Sequence, residues 1–254
     1  VFDVNDFDEC HPGPWEWDLK RLAASVVVAG RENGYDDDTN RLLAAKTTEV
    51  YRRTMRRFAK CSTMDTWYFH IKAEDVQKLF EEKATKRDQK QTAKTINKAL
   101  GKTQERTLAK MTHMKNGRRR INHEPPLLIP FRFLGIEGAL QKLYPNEDWQ
   151  EITENNLRLI WQDYLDSLPE ERRYLLERFQ VIDIALRVGG VGSVGTRCLI
   201  FLLQWGGRDE VLILQLKEAG PSVLQPLLPT PDYDENAQRV VIGQRLMQAA
   251  SDIF

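Results

Sequence analysis

Apolar and polar positions along the 254 residues fall into runs of different period, and the periods predict the elements. The opening "VFDVNDFDE" reads as a short strand, whose alternation puts Asp6 and Asp8 on one face about 7 Å apart. Turn residues follow, and then Leu19, Leu22, Ala23 and Val26 recur at helical spacing behind Pro14, predicting a helix over about 15–31. "DDDTNRLLAAKTTEVYRRTMRRFAK" supplies capping Asp and Thr residues and an apolar face of Leu43, Val50, Tyr51, Met55 and Phe58, a second helix.

From 83 to 112 the pattern changes. Lys86, Lys90, Lys94, Lys98, Lys102, Arg106 and Lys110 recur every fourth residue with few large apolar partners. Each step of four advances a helix by about 400°, so the stripe winds around a mostly solvated helix with a break at Gly101. The prolines of "NHEPPLLIPF" end it and mark a boundary near 122–130. Residues 136–187 read as helical again, most clearly in "LPEERRYLLERFQVIDIALRV", where Pro169 and two acids occupy a first turn. "CLIFLLQW" and "VLILQLKEA", separated by Gly206, Gly207, Arg208 and Asp209, read as a hairpin, so a small antiparallel sheet is expected near 188–219. An amphipathic helix closes the chain from about 235. The expectation is an α+β, mostly helical protein, divided into residues 1–187, with 83–122 as a basic, mobile insertion, and residues 188–254.

Composition alters this picture in few places. Lys and Arg balance Asp and Glu over the whole chain, yet residues 83–120 hold 13 Lys and Arg against two acids, so any basic face is local. That segment could dock an anionic partner or nucleic acid, although no aromatic residue lies between Phe80 and Phe131 to stack on bases. Cys10, Cys61 and Cys198 lack the spacing of a zinc site or disulfide framework, which fits a reducing, cytoplasmic setting. His11, His70, His113 and His123 lack metal-ligand spacing too. The longest apolar run is far shorter than the roughly 20 residues of a spanning helix, so no membrane partner is expected.

Gly190, Gly192 and Gly195 form a G-x-G-x-x-G. Such glycines let backbone amides approach phosphate oxygens, over a hairpin as in kinases or at a helix start as in dinucleotide folds. The second arrangement needs a helix after the last glycine and then a strand ending in an acid, for which Glu218 would serve. After Arg197, however, the residues up to Gly206 are nearly all apolar, which favours a buried strand and the hairpin. Ile213, Gln215 and Lys217 then share one strand face, and Lys217 lies beneath the glycine loop, where a kinase lysine holds nucleotide phosphates. Ser193, inside the loop and without a base partner, would contact phosphate through its backbone. Asp6 and Asp8 suit magnesium, which is held by one or two carboxylates plus water and substrate phosphates.

"VFDVNDFDE", "GPWEWDLKRLAAS", "GGVGSVGTRCLIFLL", "LILQLKEAGPSVL" and "RVVIGQRLMQAASDIF" closely resemble the uncharacterised bacterial family catalogued as domain of unknown function 2252. That family is similar to aminoglycoside phosphotransferases and kinases, and its members extend further at both ends. The resemblance implies Asp6 as principal magnesium ligand, Asp8 as second ligand and Asp18 as a structural acid opening a helix. It also implies a circularly permuted protein-kinase-like fold, incomplete at both ends here, because the glycine loop and lysine follow the acidic motif instead of preceding it. The catalytic Asp and Asn of such a site would lie in a "GDxHxxNF" stretch upstream of residue 1, so no catalytic residue is expected within these 254 and the piece alone is expected to be inactive. The acid to pair with Lys217 is assigned to Glu235. The function expected of the intact protein is ATP- and magnesium-dependent phosphoryl transfer to an unknown acceptor. The alternatives are a non-catalytic nucleotide-binding module, or a helical interaction protein whose basic segment binds an anionic partner.

Overall fold

A computed structural model describes residues 3–72, 75, 78, 104–133, 154–188, 196–206, 210–229 and 233–248. Among these are seven α-helices and two antiparallel sheets, an α+β architecture. The described residues divide into two compact units, one drawn from 1–78 and 219–251, the other from 79–218.

In the first unit, α1 (Glu16–Glu32) and α2 (Asp37–Phe58) form a pair. Asp36 caps α2 by accepting the Thr39 amide at 2.7 Å, a bond that holds its carboxyl below the usual carboxylate range. Trp15 stacks on Tyr51 at one end of the pair, and Gly30 meets Asn40 at the other, so the helices run antiparallel. A short α3 (Thr63–Trp67) follows, capped by Ser62. The far end of the sequence contributes α7 (Asn236–Met247) to the same unit.

The predicted opening strand is absent: residues 3–7 have no regular structure and lead into a turn closed by the Cys10 amide on the Phe7 carbonyl at 3.0 Å. Asp6 sits at φ 68°, a left-handed conformation that breaks strand alternation. The argument that placed Asp6 and Asp8 on one strand face therefore falls.

The second unit is built on a four-stranded antiparallel sheet in the order β3 (Leu128–Pro130), β4 (Phe179–Arg187), β5 (Cys198–Trp205), β6 (Val211–Lys217). The predicted hairpin is β5 and β6, paired from Cys198 opposite Lys217 to Gln204 opposite Val211. The sheet is wider than expected, because "FQVIDIALR" continues no helix: α5 (Glu154–Ser167) and α6 (Glu170–Leu176) end before it, and it runs as β4 beside β5. Phe179, Val181, Ile182 and Ile184 are aromatic or β-branched, the side chains that pack best on a pleated surface.

β5 explains the sheet's two-sided burial. Phe201 and Leu203 face one side, packing with Leu165, Leu176, Phe179 and Ile184 under α5 and α6. Ile200 and Leu202 face the other, packing with Leu108, Ile121, Leu128 and Ala185. A strand buried on both faces is a continuous apolar run, as "CLIFLLQW" is. The second face is covered by α4 (Gln104–Met111) and a hairpin of β1 (Thr112–Lys115) and β2 (Arg118–Ile121). Within residues 104–121, Leu108 and Ile121 belong to the core, and the Arg120 guanidinium donates to the Ile182 carbonyl at 2.8 Å. The stripe from Lys86 to Lys102 lies outside the described residues.

Candidate functional site

The glycine motif, with Gly190, Gly192, Ser193 and Gly195, lies outside the described residues, but the strands on either side fix its topological position. Residues 188–197 join β4 to β5, which are adjacent and antiparallel, with Leu186 paired to Leu199. The stretch after Gly195 becomes strand β5 and not a helix, so the dinucleotide arrangement is overturned. Glu218, the acid that arrangement would offer to a ribose, is instead bound to Arg197 by both carboxylate oxygens, at 2.7 and 3.1 Å. The bond from Arg197 holds the Glu218 carboxyl below its ordinary value.

Lys217 is exposed at the end of β6, directly opposite Cys198 in register. Gln215 precedes it on the same face and donates to Cys198 Sγ at 2.8 Å. Lys217 therefore stands on the strand next to the one that receives the glycine-bearing connection, with strands spaced by about 4.8 Å. Glu235 occupies the N-cap of α7, exposed, and its side chain makes no capping bond among the described residues. It belongs to the first unit, Lys217 to the second.

Asp6 and Asp8 are exposed on the irregular opening segment, and Asp18 is exposed in the first turn of α1, where a carboxylate complements the helix dipole. The fixed parts of this segment were not foreseen. Glu9 accepts the Val223 amide at 2.9 Å through its carboxylate and the Ser222 hydroxyl at 3.2 Å through its carbonyl. Arg239 of α7, 2% exposed, donates to the carbonyls of Asp8 and Gly220 at 3.0 and 2.8 Å and to that of Cys10. Burial pushes the Cys10 thiol up, against the lowering pull of the Arg239 guanidinium. The one sequence signal for Arg239 was its place directly before the apolar run Val240, Val241 and Ile242.

Asp6 and Asp8 are two exposed carboxylates, two residues apart, on a segment whose Asp8 carbonyl is held by Arg239. No cluster of three or more His, Cys, Asp or Glu residues with metal-binding geometry occurs among the described residues. His113 bonds Asn122 at 2.9 Å and His123 stacks on Phe133, both local contacts. No helix among the described residues is long and apolar enough to cross a membrane.

Compared with known proteins, the sequence matches over residues 1–254 a family described as uncharacterised protein conserved in bacteria, DUF2252. No curated protein and no solved structure matches it.

Proposed function

The chain belongs to the DUF2252 family of uncharacterised bacterial proteins, and from that premise we propose that the intact protein is an ATP- and magnesium-dependent phosphotransferase of kinase-like, circularly permuted design. One observation carries the reading: a G-x-G-x-x-G connection joins two adjacent antiparallel strands, and the next strand ends in Lys217, opposite the first residue of β5. Kinases use this order of strand, glycine loop, strand and lysine strand to cover and pair nucleotide phosphates.

In this reading the backbone amides around Gly190, Gly192, Ser193 and Gly195 approach the phosphate oxygens, because glycines leave no Cβ in the way. The Lys217 ammonium neutralises phosphate charge, and Glu235 remains the assigned acid of that lysine. Asp6 and Asp8 supply the carboxylates for magnesium, which when bound offsets charge on the phosphates of the nucleotide. Asp18 complements the dipole of α1 from its first turn. The acidic motif and the lysine belong to different units, and one experiment reads the contribution of each.

That experiment is calorimetry of ATP binding to the intact protein with and without magnesium, repeated with Lys217→Ala and Asp6→Asn. The expected result is magnesium-dependent binding, weakened roughly tenfold or more by either change, the scale of one charge-assisted contact. Binding indifferent to both changes, or none by the folded protein, would sink the reading.

A further inference from the structure

The four acids of the opening segment are held in different ways. Asp3 accepts the amide of its neighbour Val4 at 2.8 Å, and Glu9 is committed to the Val223 amide. Asp6 and Asp8 project from a turn whose backbone includes a left-handed aspartate at Asp6. Aspartate is among the few non-glycine residues that enter that conformation readily, with help from local side-chain bonds. The Asp6 amide itself donates to the Asn5 side chain at 2.8 Å, while on either side the carbonyls of Val4, Asp8 and Cys10 are bound by Arg239 of α7 and Gln248 at its C-cap, more than 200 positions along the chain.

Every hydrogen bond of the Arg239 side chain among the described residues ends on the carbonyls of Asp8, Cys10 and Gly220 or, at 4.0 Å, on Cys10 Sγ. The thiol returns a bond to the Arg239 carbonyl at 3.3 Å. One helical turn later, Gly243 makes room for Cys10: a Cβ there would stand 2.5 Å from Cys10 Sγ. Gln248, a turn further on, donates to the Val4 carbonyl at 2.7 Å. A guanidinium is suited to this task because its planar fork aims donors in fixed, divergent directions, whereas a lysine carries all its donors on one atom.

We infer that Arg239 is the positioning residue of the acidic turn: a buried guanidinium that fixes, through the carbonyl oxygens of Asp8 and Cys10, the backbone from which Asp6 and Asp8 project. The consequence for a divalent cation rests on the proposed function; the fixing of the turn does not. Carbonyl oxygens take up the buried charge, so the turn is fixed through its backbone.

Two readouts on the intact protein separate these claims: Mn2+ binding by electron paramagnetic resonance, and hydrogen exchange at the Cys10 amide, which closes the turn on Phe7. Arg239→Lys is expected to weaken Mn2+ binding about tenfold, the lower end for loss of a group that orients metal ligands, and to speed exchange at Cys10. Gly243→Ala is expected to do the same by displacing Cys10, and the added change Cys10→Ala to restore both. This second pair carries the test if Arg239→Lys does not fold. A merely structural Arg239 would lower the melting temperature while leaving Mn2+ affinity and Cys10 exchange of the folded variant unchanged, and that result overturns the inference. Faster Cys10 exchange in a protein that never binds Mn2+ would remove the metal reading and leave the positioning of the turn standing.

Discussion

Arg197 and Glu218 grip each other across the open end of the β5–β6 pair with four hydrogen bonds. The guanidinium reaches both carboxylate oxygens at 2.7 and 3.1 Å, the Arg197 amide reaches the carboxylate at 3.0 Å, and the Glu218 amide returns to the Arg197 carbonyl at 2.9 Å. A bidentate pair with backbone reinforcement fixes geometry as well as charge. It brackets Cys198 and Lys217, the residues that stand opposite each other just inside it.

This pair gives the sheet an acid-sensitive end. The folded Glu218 carboxyl titrates below its ordinary value, chiefly through the bond from Arg197. Its stabilisation is complete above the unfolded value of about 4.3 and fades as pH falls through the lower, folded value. Glu218→Gln should therefore show a smaller loss of melting temperature than the wild type between about pH 6 and about pH 3. Equal losses would mean that solvent screens the pair to insignificance.

A second acid is held more deeply. Asp183, its side chain 6% exposed, lies at a bulge in β4, pairs with Arg132 and accepts the Ile121 amide at 2.9 Å, tying β2 to the sheet. Removing the carboxylate strands a buried amide and a half-covered guanidinium together. Asp183→Ala should cost about 3 kcal/mol in urea unfolding, and Asp183→Asn less, since its amide oxygen still accepts from Ile121. Equal effects of the two would show that charge, not hydrogen bonding, dominates at the bulge.

The sequence made some elements legible because one signal dominated locally. Asp36 ahead of an apolar stripe announced α2, and two apolar runs around a glycine pair announced β5 and β6. It failed where two signals competed. The acids and arginines of "EERRYLLERF" gave α6 a helical period that was carried on through "FQVIDIALR", although the β-branched run after Phe179 belonged to a strand. At the start, apolar residues interleaved with Asp looked like strand alternation. What holds that segment is Arg239, a long-range contact that no local period encodes. Of the two strands flanking the glycine motif, β5 was legible and β4 was not, and Arg197 as partner of Glu218 was visible only once β5 and β6 were in register.

The β1–β2 hairpin was missed although it carries a strong short signal. Asn116 and Gly117 have φ 50° and 73°, the two left-handed residues of a type I′ turn, whose twist matches the flanking strands. A Cβ at Gly117 would meet nothing within 4 Å, so a substitution there is a test of backbone conformation alone. Gly117→Ala should cost about 1–2 kcal/mol, the penalty of a left-handed alanine. The loss should appear as fraying of Arg118 and Lys115 in amide exchange; an unchanged hairpin would show that packing of Ile121 and Thr112 sets the turn.

The α1–α2 pair depends on a contact of the opposite kind, where space and not conformation is limiting. Asn40, 2% exposed, donates to the Tyr35 carbonyl at 3.0 Å while its oxygen faces Gly30, and a Cβ on Gly30 would overlap that oxygen. Tyr35 itself closes α1 by donating its amide to the Gly30 carbonyl at 2.9 Å. An alanine at 30 would gain helix propensity of up to about 1 kcal/mol, yet it must push Asn40 out of its bond to Tyr35 or part the helices. Overpacking of this kind costs about 1–3 kcal/mol and leaves a buried amide without its partner, so Gly30→Ala should lower stability despite the better helix former. Gly30→Ala combined with Asn40→Ala should recover part of the loss. A double variant no more stable than Gly30→Ala alone would show that the Tyr35 turn, not the Gly30–Asn40 contact, sets the approach of the two helices.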